Sequence, residues 1–318
     1  MPRTVSVVIP VYNAQETIGK CLDSIIGQDY QPIEIIAIND GSTDDSLAVL
    51  QRYAATNANL VVIDTPNQGV SKTRDNAIAI ATGEFLAFVD CDDYIDPDYV
   101  TTYMGQMDDN HDIVIGGWRR VDGQGKLMFE RSLGGSEWES YINVYAWSKL
   151  YRRDFLVANN VQFLDYGIGE DVYFAFTTKA KHARVKIISY VGYTWTNNAT
   201  SVSNTSHKGL NQNLDVLHLL GKINSLFQNK PELLRYYYRR FLVWWLLYSG
   251  RQATREEFLL EHRRVMAWID DNRVRTSLTP FSPRLAGETL FERLSVFAFS
   301  ALERFHLLGP FAFVYCKG

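Results

Sequence analysis

Phe85-Leu86-Ala87-Phe88-Val89-Asp90-Cys91-Asp92-Asp93 is the stretch that decides the fold. Five consecutive apolar residues read as a buried strand, and three carboxylates crowd its C-terminal end. In open α/β sheets ligands bind outside the carboxyl ends of the strands, so carboxylates there point to a hydrated divalent cation and a phosphorylated substrate. A competing reading makes Asp92 and Asp93 helix caps, because Tyr94 and Asp96-Pro97-Asp98 look like a turn into a helix.

Outward from this stretch, strand-like runs alternate with amphipathic segments, the pattern of βαβ units. Strands are expected at Val5–Pro10, Ile33–Ile38, Leu60–Asp64 and Phe85–Val89, with helices over Ala14–Gln28, Ser42–Thr56 and Val70–Ala81. After Pro97 come a helix, a strand at Ile113-Val114-Ile115, a turn around Asp122-Gly123 and a helix–strand mixture through Val191. Beyond Lys208 only helical patterns follow: Leu210–Phe227, Pro231–Tyr248, Thr254–Asn272 and Glu288–Leu308. The division expected is a first domain over residues 1–205 and a helical region over 206–318 that contacts acceptor, a second copy or a membrane surface.

The 318 residues, 46% of them apolar, can bury a substantial core. Cys21, Cys91 and Cys316 lie far apart without CxxC spacing, which argues against a disulfide framework or a zinc site and fits a reducing cytosol. Neither a secretion signal nor a bilayer-spanning segment is expected, since Phe241–Gly250 and Phe305–Cys316 fall short of the roughly 18 residues required. The expected location is cytoplasmic, with peripheral contact on the inner face of the membrane as an option. From Ser206 onward 16 Lys and Arg stand against 10 Asp and Glu, a charge of +6 that leaves −10 for the front of the chain. An acidic front suits a metal site, and a basic aromatic back suits an anionic surface.

Each early strand ends in residues that suit a nucleotide. Pro10 stops the first ladder, and Tyr12 offers an aromatic face. The second strand runs into Asn39-Asp40-Gly41-Ser42-Thr43-Asp44, where Asp40 can accept the N3–H of uracil or simply form an Asp-Gly turn. After the third come Asn67-Gln68-Gly69 and a helix bearing Lys72 and Arg74, which face base, phosphate or solvent. Farther on, Gly167-Ile168-Gly169-Glu170-Asp171 sets two carboxylates after glycines, as a general base or as first-turn caps.

These segments, in this order and spacing, resemble the family 2 glycosyltransferases of the GT-A fold, a mostly parallel nucleotide-diphospho-sugar transferase sheet flanked by helices. The likeness covers Val5–Asn13, Asn39–Asp44, Asn67–Gly69, Arg74-Asp75-Asn76-Ala77, Phe88–Asp93 and Gly169-Glu170-Asp171. It implies inverting transfer from a UDP-sugar to a glycan or lipid-linked acceptor in bacterial cell-surface polysaccharide synthesis. By matching position Tyr12 lines the base pocket with Pro10, Gly69 and Arg74, and Asp40 contacts uracil. Asp90-Cys91-Asp92 is the DxD motif: Asp92 ligates Mn²⁺ or Mg²⁺, and Asp90 touches ribose or metal-bound water. Asp171 is the base, and Glu170 orients the loop or binds acceptor. Cys91 departs from the usual middle residue; a reactive thiol there lacks a nearby base in sequence.

Trp147-Ser148-Lys149-Leu150-Tyr151-Arg152-Arg153 resembles a segment of bacterial capsule and exopolysaccharide members. There Trp147 stacks on a sugar and Lys149 approaches the diphosphate, or both are ordinary surface packing. Tyr193–Ser203, with His207-Lys208 beyond it, resembles a segment that closes over the donor, and His207 is either solvated or a phosphate or metal contact.

In the last third, Leu233–Tyr248 interleaves aromatics with Arg235, Arg239 and Arg240, as interfacial helices, helical cores and dimer interfaces all do. Leu290, Leu294, Phe297, Ala301 and Phe305 form one helical stripe for core packing, a homo-oligomer or lipid. No nucleic-acid partner is expected. Nicotinamide dehydrogenases fail because no GxGxxG follows the first strand. Nucleotidyltransferases fail because Ile9–Asn13 lacks their Gly-rich Arg loop. A non-catalytic sugar-nucleotide or glycan-binding subunit stays as the alternative.

Overall fold

The computed structural model describes residues 3–166, 169–198, 210 and 215–317. The chain divides into two compact units: Met1–Gly135 with Val144–Asn197, and Ser136–Asn143 with Asn198–Gly318.

The first unit is an α/β layer structure on one sheet. Its parallel half contains β1 (Val5–Val11), β2 (Ile33–Asp40), β3 (Leu60–Thr65) and β4 (Phe85–Phe88), in the order β3-β2-β1-β4. Val5, Val7 and Ile9 pack into one buried cluster and Val8 into another, so β1 is covered on both faces, as a strand apolar at every position but Ser6 requires. Between the strands lie α1 (Ile18–Ile26), α2 (Ser46–Ala54) and α3 (Val70–Ile80). α1 buries Ile18, Cys21, Leu22 and Ile25, the i, i+3, i+4, i+7 stripe of a sheet-facing helix. α1 and α2 start four residues later than the sequence pattern suggests, because Ala14–Thr17 and Ser42–Asp45 are spent on side-chain-bonded turns.

The second half of the sheet is mixed. β5 (Tyr94–Ile95), α4 (Tyr99–Gln106), β6 (Ile113–Val121), β7 (Leu127–Arg131), β8 (Lys149–Arg152), α6 (Arg153–Ala158), α7 (Glu170–Ala180) and β9 (Val185–Thr196) belong to it. β8 runs antiparallel to both β4 and β6, while β9 returns parallel to β6. The sheet thus departs from a mainly parallel one after β4. β6 runs on to Val121, well past the expected Ile115, because β7 and β9 pair with its extension.

The second unit is helical: α5 (Glu139–Ile142), α8 (Val216–Ser225), α9 (Glu232–Tyr248), α10 (Arg255–Asp271), α11 (Leu290–Arg304) and α12 (Leu308–Tyr315). Thr254 with Glu257 and Thr289 with Glu292 form complete capping boxes that start α10 and α11. The expected single helix over Glu288–Leu308 ends at Arg304, and α12 follows separately. The expected division at 205/206 falls outside the described residues. No described helix is long and apolar enough to cross a membrane.

Candidate functional site

β1 lies between β2 and β4, so the chain reverses its direction of travel across the sheet there, and the crevice opens at the carboxyl ends of β1 and β4. Three loops at this edge are sewn together. Asn13, with φ +48°, accepts from the Thr43 N–H at 2.8 Å, and its own N–H donates to Ser42 Oγ at 3.0 Å. Asp40, 4% exposed at the end of β2, accepts the Gln68 N–H at 2.8 Å and the Gly69 N–H at 3.0 Å. Each Asp40 oxygen retains a second lone pair. Gly41 is required twice over: its φ is +68°, and a Cβ there would stand 2.5 Å from the Asn67 nitrogen. Pro10 is buried in β1, and Tyr12, just past it, is exposed.

At the end of β4 the acidic residues separate into different roles. Asp93 is buried, accepts from the Tyr193 hydroxyl at 2.7 Å and from the Thr196 N–H at 2.8 Å, and is pushed well above the usual carboxylate range by burial and by Asp92 and Asp90. It therefore ties the β4 loop to β9. It does not cap α4, whose N-cap Asp98 makes no capping bond either and instead accepts from the Tyr190 hydroxyl. Asp90 and Asp92 are half-buried and remain at the crevice.

Burial raises the Cys91 thiol far above its ordinary value, with Asp92 and Asp90 adding to the effect. The buried Cys21 thiol donates to the Asp90 carbonyl at 3.6 Å. A reactive Cys91 is not what this environment favours.

Arg74 was expected to face base, phosphate or solvent; its side chain is 4% exposed and joins three carboxylates. Nη2 donates to Asp90 Oδ1 at 2.7 Å, and Nη1 donates to Asp171 Oδ1 at 2.8 Å and Glu170 Oε1 at 3.3 Å. The sequence carried a signal for this: Arg74 shares the buried face of α3 with Ser71, Ala77 and Ile78. Lys72 points elsewhere and pairs with Asp165 at 3.3 Å.

Glu170 and Asp171 open α7, whose N-cap Gly169 has φ +88°. Asp171 is pushed up to about 7, because burial outweighs the guanidinium of Arg74 and Glu170 adds repulsion. A carboxyl titrating there is tuned for proton transfer near neutrality. Gly167 and Ile168 lie outside the described residues, as do Ser201, His207 and Lys208.

The 147–153 segment forms part of the interior. Trp147, 6% exposed, stacks on Tyr145 at 4.2 Å and on Tyr193 at 4.5 Å, so its aromatic faces are engaged by protein rings. Lys149 on β8 is 3% exposed and donates to the Tyr145 carbonyl; burial lowers it to about 7.

Asp90 and Asp92 suit an ion shared with a diphosphate. Among the described residues no group of three or more His, Cys, Asp or Glu could hold a metal alone. A pair of carboxylates, one already engaged by Arg74, leaves most of a hard cation's coordination sites for phosphate oxygens and water.

The chain is 34% identical over 199 residues to EpsH of Bacillus subtilis, described as a glycosyltransferase; the match takes in 59% of this chain and 58% of EpsH. It is 28% identical over 290 residues to YibD of Escherichia coli, an uncharacterized glycosyltransferase, with 83% of each chain covered. Among solved structures, TarS 1–349 of Staphylococcus aureus in complex with UDP superposes with a TM-score of 0.62 at 20% identity, over 96% of this chain and 92% of that one. The fold is therefore that of TarS. The model of the family described as Glycosyl transferase family 2 matches residues 6–166, which hold β1 to β4 and the Asp90–Asp92 motif, and the chain belongs to that family.

Proposed function

We propose that this chain is an inverting, metal-dependent glycosyltransferase that moves a sugar from a UDP-sugar to a glycan or lipid-linked saccharide in bacterial cell-surface polysaccharide synthesis. The observation that carries the reading is the bridge from Asp90 through Arg74 to Asp171, which holds a DxD carboxylate and a base tuned near neutrality around one guanidinium. A neighbour of the same fold solved with UDP and relatives described as glycosyltransferases support the donor class.

On this reading Tyr12, Pro10, Asp40 and Gly69 form the nucleoside side of the crevice, with Asp40 accepting from uracil through its spare lone pairs. Asp90 and Asp92 hold Mn²⁺ or Mg²⁺, which supplies Lewis-acid stabilisation for the departing diphosphate. Asp171 takes the proton of the acceptor hydroxyl as its oxygen bonds to the anomeric carbon and the bond from that carbon to the diphosphate oxygen breaks. Glu170 orients that loop or binds acceptor. Lys149, held inside β8, adds positive potential near Asp171 when protonated. The site of action on this reading is the cytoplasm.

The test is UDP release across a panel of UDP-sugars with Mn²⁺, with EDTA and Asp92→Ala as controls. Metal-dependent release from one sugar supports the reading and names the donor. Metal-dependent UDP binding with no transfer to any acceptor favours the non-catalytic binding subunit, and absence of both binding and release overturns the UDP-sugar assignment.

A further inference from the structure

The helix α11 is inverted in polarity. Both of its carboxylates and Ser300 face the protein: Glu303 pairs with Arg239 and with His262 Nε2 at 2.8 Å, Ser300 accepts from Arg239 at 2.9 Å, and Glu292 pairs with Arg240. Val296 and Phe299 complete that buried side. The opposite side presents Leu290, Phe291, Leu294, Phe297 and Phe305 outward, with Leu290 66% and Phe291 79% exposed. Phe281, itself exposed, packs on Phe297 at 5.6 Å and widens the face. A helix that spends its carboxylates on its own protein and shows phenylalanines outside has an apolar partner.

The charges of the same segment select that partner. Between Phe281 and Lys317 the acidic residues are Glu288, Glu292 and Glu303, and all three are ion-paired inward, Glu288 with Arg240 at 2.9 Å. The exposed charged residues of this segment are Arg284, Arg304 and Lys317, with His306 beside Phe305, and none of the three cations has an ion-pair partner among the described residues. A second copy would bring the same cations and no outward carboxylate from this segment to meet them. An anionic lipid surface supplies both an apolar layer and negative headgroups.

We propose that the outer face of α11, with Phe281, Arg284 and Arg304, seats the protein in the plane of an anionic phospholipid surface. α11 has 15 residues, so it lies along the interface and does not cross it.

The test is sedimentation of the full chain with phosphatidylglycerol–phosphatidylcholine vesicles against phosphatidylcholine alone. The wild-type chain sediments with the anionic vesicles. Phe291→Ser with Phe297→Ser lowers partitioning about tenfold or more, and Arg284→Gln and Arg304→Gln each lower it about fivefold. On the unmodified chain, anionic vesicles slow hydrogen exchange over residues 290–305. Absence of vesicle binding, binding indifferent to the phenylalanine pair, or unchanged exchange over 290–305 overturns the proposal. So does a wild-type dimer that the phenylalanine substitutions dissociate, because a second copy then covers this face.

Discussion

Arg74 and Asp171, 97 positions apart, meet at 2.8 Å, and the same guanidinium reaches Asp90 at 2.7 Å through its other terminal nitrogen. The fork geometry of arginine makes this possible; an ammonium is a point charge that cannot bridge both carboxylates in the same way. Arg74→Ala leaves three half-buried carboxylates uncompensated and should cost about 3 kcal/mol in urea unfolding. Arg74→Lys should fold with a modest loss of stability yet transfer about a hundredfold more slowly, since misplacing a reacting group by about an ångström has that effect. Equal transfer by the lysine variant would show that the bridge does not align the site.

Asp171 must be ionised to act as a base, and burial holds it near 7. The transfer rate should therefore rise with pH through about 7 and level off above it, with a bound divalent cation moving the limb lower. Stability moves the other way. A folded-state value above the unfolded 3.8 gives a contribution that is full below pH 4 and lost as pH rises through about 7. Asp171→Asn should remove that falling contribution and, at pH 8, melt no lower than the wild type. A rate profile flat from pH 5 to 8 would remove Asp171 from the role of base.

Trp147 distinguishes a sugar platform from a core residue. Stacked on Tyr145 and Tyr193, it should behave as core: Trp147→Ala costs about 3–5 kcal/mol in unfolding, while the donor KM of the folded fraction stays within about twofold. A large rise in KM with unchanged stability would restore the sugar-stacking role.

Cys91 should be inert. With its thiol held far above the ordinary range by burial and neighbouring carboxylates, iodoacetamide at pH 8 should leave it unmodified in the folded protein. Cys91→Ala should retain UDP release; loss of both protection and activity would make the thiol functional.

The strand–helix alternation through Val89 was legible because each element has its own period and its own turn residues. The second half of the sheet was not, since β8 and β9 owe their places to pairing with β4 and β6, and pairing leaves no local mark. Similarly, the carboxylates of the crevice were visible as motifs, whereas the division of labour between Asp92 and Asp93 depends on Tyr193 and Thr196, about 100 residues away. The inward direction of Arg74 was readable from its register with Ser71 and Ala77, but a charged residue on a buried face is set aside until its partners are known. The reversed polarity of α11 had the same obstacle: the stripe was plain, and only the ion pairs to α9 and α10 reveal which side faces in.

The most direct measurement is calorimetric UDP binding with Mn²⁺, alongside transfer assays, for the wild type, Asp92→Asn and Asp171→Asn. The account predicts that Asp171→Asn binds UDP as the wild type does and transfers about 10²–10⁴-fold more slowly, while Asp92→Asn loses the metal-dependent part of UDP binding. Transfer by Asp171→Asn at the wild-type rate, or Mn²⁺-dependent UDP binding by Asp92→Asn equal to that of the wild type, would contradict it.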